Sequence, residues 1–280
     1  MPYEETPFCF ECEGERLLGI VHRPEHVHDT GVLIIVGGPQ YRVGSHRQFL
    51  LLARCLARHG IPVMRFDYRA MGDSEGEGID FENVNQDIAR AIDSFVQQIP
   101  GIRKVVLWGL CDAASASLFY GYTDPRVSGM VLLNPWVRTT AGEAKAYLKH
   151  YYLSRFLSKD FWKKVLGGKF NPAASLKSLF KFTRDARKGS QRPSHSQQSL
   201  PQRMLHCLCK FNGKILLILS GNDLTADEFR DVINASQGWS EALASSRVSR
   251  KNLESANHTF SSAAWRSQVE SWTLDWLREN

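Results

Sequence analysis

Four apolar runs constrain this chain most: GVLIIVGG at 31–38, KVVLWGL at 104–110, VSGMVLLNP at 127–135 and KILLILSG at 214–221. Within each, the apolar residues run on without alternating with polar ones. Such a run is buried on both faces, as in the central strands of a parallel sheet covered by helices. Weaker strand signals lie at RLLGIVHR (16–23), IPVMRFDYR (61–69) and RVSRKNLE (247–254). Between the strands lie segments with apolar residues at helical spacing. HRQFLLLARCLARHG (46–60) ends in a glycine, and FENVNQDIARAIDSFVQQ (81–98) is amphipathic. A last helix is expected over 261–278, with Trp265, Val269, Trp272 and Trp276 as its buried stripe. Alternation of this kind predicts an α/β fold: a mostly parallel sheet of about eight strands with helices on both faces.

The alternation breaks once, between Pro135 and Lys214. That interval holds aromatic-rich helical patches (AKAYLKHYYLSRFL, DFWKKVL) and a Ser/Gln-rich loop around 187–201. It reads as an inserted helical cap over 137–210, leaving 1–136 and 211–280 as the core domain. From Arg138 to Lys210 there are 16 Lys and Arg against 3 Asp and Glu, a net of +13, whereas the rest of the chain carries 19 against 26, a net of −7. Nucleic acid would suit such a basic segment with interleaved aromatics, but no nucleic-acid motif accompanies it. A solvated cap face or attraction of an anionic substrate explains the charge instead. The start, MPYEETPFCFECEGE, is acidic and unlike a signal peptide, and no run nears the roughly 20 apolar residues of a membrane helix. A cytoplasmic protein with reduced thiols is the expectation. Cys9-x-x-Cys12 and His206-Cys207-x-Cys209 raise zinc, but residues three apart on a strand face opposite sides. No metal and no cofactor is expected.

At 109–113 the strand-like run passes through Gly-Leu-Cys-Asp-Ala into ASAS, a helix of small residues. A sharp strand-to-helix turn lifts its central side chain above the sheet and needs small residues two before and two after. Gly109 and Ala113 meet that need. The helix dipole favours a thiolate at Cys111. Alone, the pattern also suits a buried cysteine at an ordinary turn. Residues nearer the C-terminus distinguish the two. Asp223 comes directly after the strand KILLILSG, with Asp227 as substitute, and His258 lies in the loop ANHTF before the last helix. Nucleophile, acid and histidine in that order make a Cys111–Asp223–His258 triad. Asp223 also suits a helix N-cap, and His46 and His206 read as ordinary helix or surface residues.

This order, with DYRAMGDSEG (67–76), resembles the α/β-hydrolases over nearly the whole chain. The Cys-His-Asp triad is similar to that of dienelactone hydrolases. VGGPQYRVGSHRQF, GLCDA, SGNDLTADEF and ANHTF together resemble the exosortase A system-associated hydrolases of bacteria. The resemblance implies cleavage of an ester or thioester through an acyl-enzyme, in exopolysaccharide or protein-sorting systems. It also implies an oxyanion hole. One donor would be the N–H of Asp112. The other belongs to the turn Gly37-Gly38-Pro39-Gln40, which departs from the usual His-Gly. Proline has no N–H, so Gln40 is the first candidate and Gly38 the second. Gly38, Pro39 and Arg42 are the expected substrate-facing residues, with Arg42 and His46 either at the entrance or on the surface. The Asp112 side chain opposes thiolate formation next door and receives no catalytic role. Two other functions remain: acyl transfer to another hydroxyl on the same triad, and a non-catalytic binding module. A small acyl substrate, no nucleic acid and no transmembrane segment complete the expectation.

Overall fold

The computed structural model describes residues 2–38, 40–137 and 198–280. Eight strands form one sheet: β1 (Tyr3–Cys12), β2 (Glu15–Pro24), β3 (Thr30–Ile35), β4 (Val63–Phe66), β5 (Lys104–Leu110), β6 (Val127–Leu133), β7 (Lys214–Asn222) and β8 (Val248–Asn257). Their order is β1-β2-β4-β3-β5-β6-β7-β8. β1 pairs antiparallel with β2, and β2 antiparallel with β4; every other neighbour is parallel. The runs that lack alternation occupy the parallel interior. β3, β5, β6 and β7 are buried almost throughout, whereas edge strand β1 alternates exposed and covered residues. Cys9 is accordingly exposed and Cys12 buried.

Seven α-helices are seen among the described residues: α1 (Gln48–Arg58), α2 (Asn85–Gln98), α3 (Asp112–Gly121), α4 (Leu200–Lys210), α5 (Leu224–Ala235), α6 (Gln237–Leu243) and α7 (Ala263–Glu279). α1 packs against α7, and α2 against α3. Two successive residues of β6 show that both faces are covered. Gly129 lies under α7, where a Cβ would meet the Trp276 ring at 2.7 Å. Met130 turns the other way, its sulfur 2.8 Å from where a Cβ on Gly121 of α3 would sit.

The stripe expected on the last helix needs correction. Val269, Thr273, Leu274 and Trp276 are buried, while Trp265 and Trp272 are only half-buried. The Trp265 indole N–H donates to Ser255 Oγ at 3.0 Å, and the Lys251 ammonium lies 6.0 Å from the Trp272 ring centre. Each ring keeps an edge near water, which suits an amphipathic side chain.

The expected cap falls mostly outside the described residues. Its last stretch is α4, which buries Met204, Cys207 and Leu208 and, from Pro201 onward, groups with the sheet. Arg247 Nη2 donates to Leu208 O at 2.8 Å, and Trp239 Nε1 to Pro201 O at 3.2 Å. Among the described residues no helix is long and apolar enough to cross a membrane, and no group of His, Cys, Asp and Glu could hold a metal ion.

Candidate active site

Cys111 sits between the end of β5 and the start of α3 with φ 64° and ψ −125°. A non-glycine residue held there stores roughly 1–3 kcal/mol of strain and persists only where its surroundings impose it. Here they do. Cys111 N–H donates to Leu133 O at 2.8 Å, and Cys111 O accepts from Ala114 N at 3.1 Å and Trp136 N at 3.2 Å. A Cβ on Gly109 would lie 2.6 Å from the carbonyl carbon and oxygen of Ala113. The glycine two before the cysteine is therefore a steric necessity of the turn.

Asp223 begins α5 directly beyond β7. Its Oδ1 accepts from Thr225 N and its Oδ2 from Ala226 N, both at 3.1 Å. The same Oδ2 lies 2.9 Å from His258 Nδ1. The cap and the approach to the imidazole are thus one arrangement: capping fixes the carboxylate, and the fixed carboxylate faces His258. Its side chain is only 6% exposed against 32% for His258. Asp227, the substitute acid, instead pairs with Arg230 Nη1 at 3.0 Å and does not meet the imidazole.

His258 follows β8 in a tight turn. Phe260, at φ 50°, returns its N–H to Asn257 O at 3.1 Å, and Asn257 also holds Ser261 through both side-chain atoms. The backbone of His258 is anchored by a residue that no sequence motif marks. Asn134, fully buried at φ 43°, donates Nδ2 to His258 O at 3.2 Å and to Ser220 Oγ at 2.9 Å, and its Oδ1 accepts from Ser220 N at 2.9 Å. It ties the ends of β6 and β7 to the histidine loop. An asparagine closing the apolar run VLLN is the only sign of it in the sequence.

The turn after β3 departs from expectation. Gln40 N–H, the first candidate donor, points back to Gly38 O at 2.8 Å, and Gln40 Oε1 accepts from Ser45 N at 3.2 Å. The Gln40 N–H is thus already engaged within its own turn. Gly38 N–H points at the elbow, donating to Asp112 Oδ2 at 2.8 Å. Asp112 Oδ1 in turn accepts from Ala113 N at 3.0 Å. Burial pushes the Asp112 carboxyl above its ordinary pKa, opposed by the N–H groups of Gly38, Ala113 and Asp112 itself and by the charge of His258. Pro39 lies outside the described residues.

Arg42 also needs correction. Its guanidinium is held by Asp67, and by Asp73 at 2.6 Å, with its side chain only 13% exposed. Arg42 N donates to Asp67 Oδ1 at 2.6 Å. The buried Asp67 also accepts from Asp73 N at 3.2 Å. This residue locks the turn after β3 to the loop after β4, so its charge is committed within the fold. Arg69, from the same DYRAMGDSEG loop, chelates the buried Asp87 of α2, with Nη2 to Oδ2 at 2.9 Å. His46 and His206 are both exposed.

Cys111, Asp223, His258 and the Gly38 turn thus stand just beyond the carboxyl ends of β5, β7, β8 and β3, the edge at which open α/β sheets place their ligands. Solved structures share this architecture. An esterase of Pyrococcus furiosus superposes with a TM-score of 0.68 at 14% identity, over 99% of this chain and 91% of that one. An alpha/beta hydrolase from Penicillium sp. sh18 gives 0.60 at 16%, over 100% and 99%. A serine hydrolase homologue from Coxiella burnetii gives 0.57 at 15%, over 96% of each chain. At these identities the likeness is one of fold. No curated protein is similar in sequence. The sequence profile of the alpha/beta hydrolase family runs from the second residue of β3's apolar core into α7, over residues 32–268, and the chain belongs to that family.

Proposed function

We propose that this protein hydrolyses an ester or thioester, with Cys111 as nucleophile. The observation that carries the reading is the 2.9 Å contact of His258 Nδ1 with a capped, buried Asp223, in a chain that holds Cys111 at a strained elbow. Asp223 keeps the Nδ1 proton in place, so Nε2 is the free base. Cys111 Sγ attacks the carbonyl carbon, and His258 Nε2 takes the thiol proton and passes it to the leaving alcohol or thiol. Gly38 N–H, once released by the Asp112 carboxylate, and Asp112 N–H are the donors to the developing oxyanion. Water, deprotonated by His258, then opens the thioacyl bond, releasing a carboxylic acid and restoring the thiol. Transfer to another hydroxyl takes the same path with that hydroxyl in place of water.

A basic cap over 137–210 that attracts an anionic acyl substrate, a cytoplasmic setting and a link to exosortase-type systems belong to the same proposal. They rest on the charge distribution and the motif resemblance. A second reading, a binding module without turnover, is favoured by one observation: the Asp112 carboxylate occupies the Gly38 N–H, one of the two donors that an oxyanion would need. Short-chain p-nitrophenyl esters and acyl thioesters test the two. Cys111→Ala is expected to lose roughly 10³-fold or more of the turnover. Turnover unchanged by that substitution overturns the nucleophile. Rapid, pH-dependent alkylation of Cys111 alone by iodoacetamide argues for an activated thiol, and an unreactive Cys111 without turnover supports the binding module.

A further inference from the structure

We infer that Asp112 is a specificity-determining plug: its carboxylate stands where the oxyanion of an acyl-transfer intermediate would sit, and only a substrate able to displace it gains the oxyanion hole. The inference rests on the reading of Cys111 as nucleophile for its kinetic consequence, but not for the occupancy itself. Three observations carry it. Oδ2 takes the Gly38 N–H at 2.8 Å, the donor that remains once Gln40 is turned away. Oδ1 takes the Ala113 N–H at 3.0 Å, at the positive end of α3. The side chain is also fitted closely against the turn after β3, since a Cβ on Gly37 would lie 2.2 Å from Oδ1. The donors come from two separate elements, and a glycine leaves room for the carboxylate between them.

The physical consequence is competition. A carboxylate on backbone N–H groups mimics the charge and two-oxygen geometry of an acid product or a tetrahedral oxyanion. Displacing it costs those hydrogen bonds, so a small neutral ester with few other contacts gains little from the hole. A substrate with a longer acyl chain or an anionic leaving group can offset that cost through its remote contacts. The cradle would accept a carboxylate or an oxyanion as its external ligand.

The test uses the full-length protein as wild type, Asp112→Ala and Asp112→Asn. Sodium acetate, added at constant ionic strength, is the probe, and the amide ¹H–¹⁵N signals of Gly38 and Ala113 are the readout. In Asp112→Ala, acetate is expected to shift both amides saturably, while wild type stays unmoved. Turnover of p-nitrophenyl butyrate is expected to rise about 10-fold or more in Asp112→Ala and to become acetate-inhibited, which wild type is not. A merely structural role for Asp112 would give neither acetate effect. Asp112→Asn, of equal shape and neutral, gives an intermediate response and serves if the alanine variant fails to fold. Gly38 equally insensitive to acetate in wild type and variant, or equally sensitive in both, overturns the plug. Acetate-sensitive amides with turnover that survives Cys111→Ala leave the plug standing and overturn the nucleophile instead.

Discussion

At the scale of single residues, the proposed mechanism draws on side chains that also hold the fold together. Asp223 caps α5 and faces His258, and Asp223→Asn separates the two roles because asparagine caps as well as aspartate. That variant is expected to keep its melting temperature within a few degrees while kcat falls by roughly 10²–10⁴. A loss of stability matching the loss of activity would show that the carboxylate acts only through the fold. Asn134 is the second such residue. Asn134→Leu leaves the buried Ser220 N–H and the His258 carbonyl without their partner, at about 1–3 kcal/mol for each stranded group. Both the thermal midpoint and kcat are expected to drop, and an unchanged kcat would remove Asn134 from the positioning of the histidine. The sequence made Cys111 legible because the elbow's steric demand falls on its near neighbours Gly109 and Ala113. It made Asn134 illegible because the bonds of that residue reach 86 and 124 positions along the chain. The Asp112 charge was visible beside the thiol, but which N–H groups its carboxylate would meet depends on the separate turn after β3.

At the scale of elements, hydrophobic periodicity located the buried strands because burial on both faces leaves no other composition. It is weaker where an element meets water on one side: the spacing predicts burial for the two outer tryptophans of α7, which are half-buried, and no periodic run marks α6. β2 and β4 carry a polar pair inside this sheet. Arg65 Nε donates to His22 Nε2 at 3.0 Å, and both residues are buried. A guanidinium only donates, so Nε2 must accept, which keeps the imidazole neutral. Burial first, then the Arg65 charge, push the His22 pKa from 6.5 down to about 3, with Glu5 opposing. The native state therefore refuses a proton that the unfolded chain accepts as the pH drops below about 6.5. Stability is flat above that value on account of this group and declines towards pH 3. His22→Gln places an acceptor at the same point without titrating. Its melting temperature is expected to fall less steeply from pH 6.5 to 4 than that of wild type, as calorimetry would show. Parallel curves would place the acid sensitivity elsewhere.

At the scale of the whole molecule, one sheet collects residues from positions 38, 111, 223 and 258 on its carboxyl edge. Their order along the chain was legible because parallel strands joined by helices all deliver their following turns to that edge. The details of each turn were not, as the closure of Gln40 onto Gly38 and the binding of Arg42 to Asp67 and Asp73 show. The charge contrast of +13 over 138–210 against −7 elsewhere belongs to this scale too. If the basic segment attracts an anionic substrate, kcat/KM for an anionic thioester should fall several-fold between about 0.05 and 0.5 M salt, while that for a neutral ester stays level. Equal salt responses would assign the charge to a solvated surface. The central claim is that sulfur at position 111 takes the acyl group. The measurement that meets it most directly is a rapid acid quench of the protein turning over an acyl thioester, with peptide mapping by mass spectrometry. One acyl group is expected on the peptide bearing Cys111, absent in Cys111→Ala. Turnover with no adduct on that peptide, or with an adduct that survives the substitution, would contradict it.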